Sequence, residues 1–232
     1  MQITKLINFF FVLSFVFLSQ ANAFEVEPYL GIIAKGKSDT NFVEHGTLPS
    51  YDYYLRGPGH VYGNGYGLRL GVSLIRLFGL GYQYERGHMT VITRAGTFGS
   101  FTPASWEDAY TRTLHGPMVY LSPVSWLKIG AAYYLVSLKD NSADLDYSGV
   151  NTNNGDTLKG KGIGAFLRLR FGNAQLSFEF RKIDTPKLHD ARLSTGTDSF
   201  RINEEKWSEL FVSIGIPFSL FGGESSRSHS KE

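Results

Sequence analysis

Cysteine is absent from all 232 residues, which excludes disulfide staples and also the lipid-bearing cysteine of a lipoprotein. Charge imbalance is nearly absent: 23 Lys and Arg against 21 Asp and Glu leave a formal +2, no electrostatic footprint for a nucleic-acid partner. The one long hydrophobic run, Leu6 to Leu18, follows Lys5, is interrupted by Asn8 and Ser14, and leads to Ala21-Asn22-Ala23. A spanning helix wants about 20 apolar residues, whereas a short apolar core closed by small residues is the pattern that signal peptidase cuts after. Residues 1–23 are therefore expected to be a cleaved export signal, with the mature chain starting near Phe24. Removing Lys5 takes the formal charge from +2 to +1.

The full chain is 42% hydrophobic and 15% aromatic with 26 glycines, too apolar for disorder and too glycine-rich for a helical bundle. Its apolar residues alternate, the period of a strand. Val26, Pro28, Leu30, Ile32 and Ala34 oppose Glu25, Glu27, Tyr29 and Gly31. Tyr66, Leu68, Leu70, Val72 and Leu74 oppose Gly67, Arg69, Gly71 and Ser73, and after a turn at 75–77, Phe78, Leu80, Tyr82 and Tyr84 oppose Gly79, Gly81, Gln83 and Glu85. A fourth segment, 111–121, is irregular: Leu114, Met118 and Tyr120 take one parity and Val119 and Leu121 the other, which a bulge near Gly116-Pro117 would reconcile. Beyond a turn at 122–125, Leu127, Ile129, Ala131, Tyr133 and Leu135 begin a fifth strand. Ile163 to Phe171 and Ala174 to Arg181 form a hairpin about Gly172-Asn173, and Leu210, Val212, Ile214, Ile216 and Phe218 mark the eighth.

The connectors after strands 2, 4 and 6 are tight, whereas 36–64, 86–110, 137–160 and 183–206 read as long polar loops. An even number of strands of about ten residues, with long loops at one end and short turns at the other, describes an outer-membrane barrel whose termini lie in the periplasm. A soluble eight-stranded barrel shares the alternation but needs long solvated side chains on its polar face. Here that face carries Gly67, Gly71, Gly79, Gly81, Gly130, Gly164 and Gly215, residues suited to a narrow interior. The expected fold is all-β: a closed eight-stranded antiparallel up-and-down transmembrane barrel over 24–221, followed by a polar tail, 222–232.

The opening Glu27-Pro28-Tyr29-Leu30-Gly31 and the closing Val212-Ser213-Ile214-Gly215-Ile216-Pro217-Phe218 resemble the first and last strands of the small eight-stranded outer-membrane barrels, the superfamily of the OmpA transmembrane domain and the OmpX and OmpW types. The resemblance covers nearly all of the mature chain, through pattern more than motif. It implies residence in the outer membrane of a Gram-negative bacterium, contact with its lipid and lipopolysaccharide, and insertion by the barrel-assembly machinery. Phe218 or Phe221 would be the aromatic end of the assembly signal, although such signals usually stop there and this chain continues.

The inward face gathers Glu25, Glu27, Glu85, Glu179 and Glu209 with Arg69, Lys128, Arg168, Arg170 and Arg181, five of each sign. An eight-stranded lumen is just wide enough for side chains, and a charge left unpaired there would cost several kcal/mol, so a salt-bridged plug is expected. The alternative is a narrow gated path for ions or small solutes. A lipid A-modifying enzyme is a third reading, but it needs a nucleophile, a base and an orienting group together. His115 alone lies within a strand, where a hydrogen-bonded lumen or interface histidine is the simpler assignment. His45, His60, His88 and His189 fall in loops and His229 in the tail.

Gly63-Asn64-Gly65-Tyr66-Gly67 resembles a phosphate-cradling loop but leads into alternating sequence rather than a helix. Asp140, Asp144, Asp146 and Asp156 lack EF-hand spacing, so a solvated loop is expected. Tyr51, Tyr53, Tyr54 and Tyr62, with Asp140, Asp144 and Asp146, are the loop candidates for a surface partner, and Trp126 and Trp207 would join an interfacial girdle. No catalytic, cofactor or metal residue is proposed. The expected role is structural, with surface interaction or adhesion through the loops.

Overall fold

The computed structural model describes residues 23–45, 52–75, 77–93, 97–98, 106–141, 157–190 and 200–221. Residues 1–22 of the expected signal, Tyr51, Asp144, Asp146, Asp156 and the tail with His229 lie outside them, whereas Ala23 already belongs to the first strand. Eight long strands run as an antiparallel meander: β1 (Ala23–His45), β2 (Asp52–Ile75), β3 (Phe78–Thr93), β5 (Trp106–Val124), β6 (Leu127–Asp140), β7 (Thr157–Phe171), β8 (Ala174–Asp190) and β9 (Phe200–Gly215). The two-residue β4 (Thr97–Phe98) pairs with β2, and β10 (Phe218–Phe221) resumes the last strand after Ile216-Pro217, where the proline has no N–H to donate. β1 pairs with both β2 and β9, which closes the barrel and leaves the eight long strands without a free edge.

The outward face of each strand is apolar near the tight turns. Leu30, Ile32, Leu80, Val119, Ile129, Ile163, Phe180 and Ile214 all stand exposed around the wall. A continuous apolar belt of this kind has a favourable solvent only in hydrocarbon.

The strands run much farther than the expected ten residues: 23 in β1 and 24 in β2. Crossing hydrocarbon takes about 9–11, so these two project well beyond it. Three of the four expected loops are largely ladder, and all four are shorter than their sequence bounds. His60 and His88, and the backbones of His45, Tyr53, Tyr54 and His189, lie in strands rather than loops, as does Gly63 to Gly67.

The reason the pattern misleads is an inversion of parity. In β3, Leu80, Tyr82 and Tyr84 face outward; farther from the turn Arg86 and His88 are the exposed ones and Met89 and Val91 are buried inside. β6 changes likewise from exposed Tyr133 and Leu135 to exposed Lys139 with buried Val136 and Leu138. Outside hydrocarbon the wall meets water, so polar residues turn outward and apolar ones fill the interior, as in a soluble barrel.

The bulge expected at Gly116-Pro117 is not there. β5 pairs with β3 without a shift from Leu121 to Trp106, and its offset to β6 is the same on either side of 116–117. Leu114, Met118 and Tyr120 point inward as lumen filling, with Val119 and Leu121 outward. Glycine on β3 makes room for them: a Cβ on Gly79 would enter the Tyr120 ring and one on Gly81 would meet the Met118 methyl. β5 shifts only at its turn, between Leu121 and Val124, and β1 shifts against β9 between Ile33 and Lys35.

Gly79→Ala is expected to lower stability by about 1–3 kcal/mol through overpacking against Tyr120, read as a lower urea midpoint of the refolded barrel. Gly172 forms the β7–β8 turn at φ 58° with open space around it. Gly172→Ala should therefore cost about 1–2 kcal/mol through backbone conformation alone.

Candidate functional site: the charged lumen and its apolar cap

The inward series builds three layers from the turn end upward. At the mouth, Lys128 bonds the Glu25 carboxylate, and Arg170, about a third exposed, lies 3.7 Å from the same group. Arg170 also donates to the Gly172 carbonyl at 3.3 Å.

Next, Arg69 meets Glu27 at 2.8 Å and donates to Ser213 at 2.9 Å and Gln83 at 3.3 Å. Gln175 donates to the other Glu27 oxygen at 2.6 Å. Above them Arg181 contacts three carboxylates, Glu85 at 2.7 Å, Glu209 at 3.1 Å and Glu179 at 3.2 Å. Arg112 bridges Glu85 and Glu209 at 2.7 Å each, and Tyr29 and Trp207 donate to the same two carboxylates at 3.0 and 2.9 Å.

These groups are almost wholly shielded from solvent. Buried ions need several partners each to offset desolvation; planar guanidinium forks supply several donors, and carboxylates accept them in pairs. Rings face the guanidiniums: Arg69 lies 3.7 Å from the Tyr29 centroid, Arg168 3.8 Å from Phe166, and Arg181 4.1 Å from Phe211.

Beyond the charges, Ile33, Val61, Met89, Tyr110, Leu138 and Ile183 are buried in the interior and fill it. The interior thus carries an ionic layer of six cations and five carboxylates, with an apolar layer above it.

All ten charges expected in the lumen face it. The structure adds Arg112, fully buried. It was missed because its strand seemed to change parity; the signal was its even spacing with Leu114, Met118 and Tyr120. Arg168 stands apart, with no carboxylate within 4 Å among the described residues: it donates to Gln83 and to Met118 sulfur, both at 3.3 Å, and its Nε has no partner.

Trp207 is a lumen residue rather than part of a girdle, because its indole N–H finds Glu209 there, whereas Trp126 is exposed at the turn end. His115 points outward, away from the lumen, its Nδ1 2.7 Å from the Tyr82 hydroxyl. Tyr62 is exposed; Phe218, also exposed, pairs with Val26, and the backbone of Phe221 pairs with Phe24. Asp140 ends β6. Among the described residues no cluster suited to a metal ion occurs.

A closed eight-stranded meander with an outward apolar belt and a charged lumen is the fold of the small outer-membrane barrels. It is similar to the outer-membrane protein OprG of Pseudomonas aeruginosa, with a TM-score of 0.50 and 10% identity over 86% of this chain and 97% of that one. Neisserial surface protein A (TM-score 0.41, 13% identity, 84% and 97% coverage) and the outer-membrane protein AlkL (0.39, 11%, 86% and 92%) are also matched. No known protein family and no curated protein matches the sequence.

Arg181→Met is expected to destabilise the barrel by about 3–5 kcal/mol, because it strands buried carboxylates. Arg168→Met, which strands none within 4 Å, should cost clearly less. Urea titration of both refolded variants checks the order, and equal losses would refute the asymmetry of the network.

Proposed function

We propose that the protein is a sealed outer-membrane barrel whose task lies outside the membrane, where its projecting strands and their connecting loops present a surface for interaction or adhesion. In this reading the turn end and the termini face the periplasm, and the strands that outrun the hydrocarbon face the exterior. The carrying observation is the filled interior: buried charges, all but Arg168 in ion pairs, under an apolar cap leave the wall, not the lumen, as the feature open to partners. The length of β1 and β2 supports the same reading, since His45 pairs with Asp52 of β2 and with Phe200 of β9 in a three-stranded wall far above the belt. Solute passage has the narrower support of the charges themselves, and the cap above them opposes it.

Refolded protein in a planar bilayer should give no discrete current steps at moderate voltage; reproducible steps would replace this reading with a pore. Exchanging residues 40–57 for a two-residue turn should leave the barrel folded, seen as heat-modifiable gel mobility. The same exchange should abolish adhesion of expressing cells to host-cell monolayers, and unchanged adhesion would remove the role assigned to the wall.

A further inference from the structure

The inward charges are unevenly shared between the layers of the lumen. At the mouth and in the layer next to it, Lys128, Arg170, Arg69 and Arg168 meet only Glu25 and Glu27, whereas higher up Arg112 and Arg181 face Glu85, Glu179 and Glu209. Glu179 reaches back to Arg69 at 3.8 Å, which still leaves the lower group one counter-charge short. The cation left over is Arg168.

Its surroundings make the deficit local. Arg168 stands directly opposite Lys128 on one side and Ser177 on the other, and it shares the Gln83 amide oxygen with Arg69, at 3.3 Å from each. The carboxylates of the lower group are engaged elsewhere, Glu27 by Arg69 and Gln175 and Glu25 by Lys128. A guanidinium keeps its charge at neutral pH, so burial cannot be relieved by losing a proton. What offsets it must be an anion.

Three donors of this group have nothing to give to. The Arg168 Nε, the Gln83 amide nitrogen and the Ser177 hydroxyl are buried, and none has a partner among the described residues. Gln83 holds its oxygen toward the two arginines, because turning the amide over would aim N–H groups at both guanidiniums; its nitrogen is thereby committed to donating. Ser177 lies in one inward row with Arg168 and Ser213, and Ser213 already accepts from Arg69. Phe166 covers a face of the Arg168 guanidinium at 3.8 Å, and Nη2 is used by Gln83 and by the Met118 sulfur, so the Nε edge is the part without an acceptor. The unpartnered acceptor of the region, Glu179 Oε1, belongs to the row of Phe166, one level higher. Water could satisfy the donors but would supply no charge.

We propose that Arg168, Ser177 and Gln83 bind one small monovalent anion inside the barrel, chloride in ordinary salt, as the sixth counter-charge of the lumen. Solvent is nearest at the turn end, where Arg170 is about a third exposed beside the part-buried Lys128 and Glu25. The ion arrives past two cations. Neither the side of the membrane nor the adhesion reading enters this assignment.

The test is a urea titration of the refolded mature barrel in which sodium chloride replaces sodium gluconate, an anion too large for the lumen, at constant ionic strength. A dissociation constant of about 10 mM raises the midpoint by roughly 1 M between about 1 and about 300 mM chloride. Arg168→Met should abolish the rise, Ser177→Ala should demand roughly tenfold more chloride for it, and Arg170→Gln, which removes a cation at the mouth, should retain it. A flat response of the native barrel, or an equal rise in Arg168→Met, would overturn the site. Native crystals grown in sodium bromide provide a second reading that needs no variant to refold. An anomalous peak beside the Arg168 and Ser177 side chains is expected; water at that position, or bromide only on the exposed wall, would refute the proposal.

Discussion

The width of an eight-stranded lumen is the constraint from which the rest follows. So narrow a tube can hold side chains but little else, and whatever charge enters must find its partner inside. Arg181 and Arg112 meet Glu85 and Glu209 from different strands, so that β3, β5, β8 and β9 are tied across the interior by one network. Removing either sign would leave the other buried and uncompensated, which is a larger penalty than any one of these bonds is a gain. Glycine follows from the same limit, since Tyr120 and Met118 on β5 occupy the space that Gly79 and Gly81 leave on β3.

The second constraint is the change of solvent along the barrel axis. In hydrocarbon the wall must be apolar outside and every backbone group must pair within the sheet. Above it the outside meets water and the inside becomes the dry place, so the same strands reverse their faces without interrupting their ladders. The outward charges, such as Arg86 and Lys139, and the apolar cap are the two consequences of this reversal, one on each face.

Much of the barrel was legible in the sequence because hydrocarbon imposes a strict alternation. The strands about Leu30, Leu80, Ile129, Ile163, Phe180 and Ile214 stand where that alternation places them, and the inward charges from Glu25 to Glu209 face the lumen. The errors share one cause. At Val61, Met89, Val91, Val136 and Leu138 the apolar residues change sides, and a reader following one face takes the change for the end of the strand. In β5 the inward apolar series Leu114, Met118 and Tyr120 imitates a slipped register, which concealed Arg112 as a member of the network. Trp207 was placed at an interface because an aromatic near a strand end belongs there by composition, yet it shares its inward face with Glu209, two residues along the same strand, whose carboxylate accepts its N–H.

The sequence by itself determined the alternation, the strand order implied by tight and long connectors, and the sign and parity of the lumen charges, because each is a local consequence of period and composition. Only the tertiary structure decided which arginine meets which glutamate, that the β1 shift lies between Ile33 and Lys35, and that Arg168 meets Gln83 rather than a carboxylate. Those relations depend on closing β1 against β9, a contact between residues nearly the whole chain apart, and no local pattern carries the register in which that closure occurs.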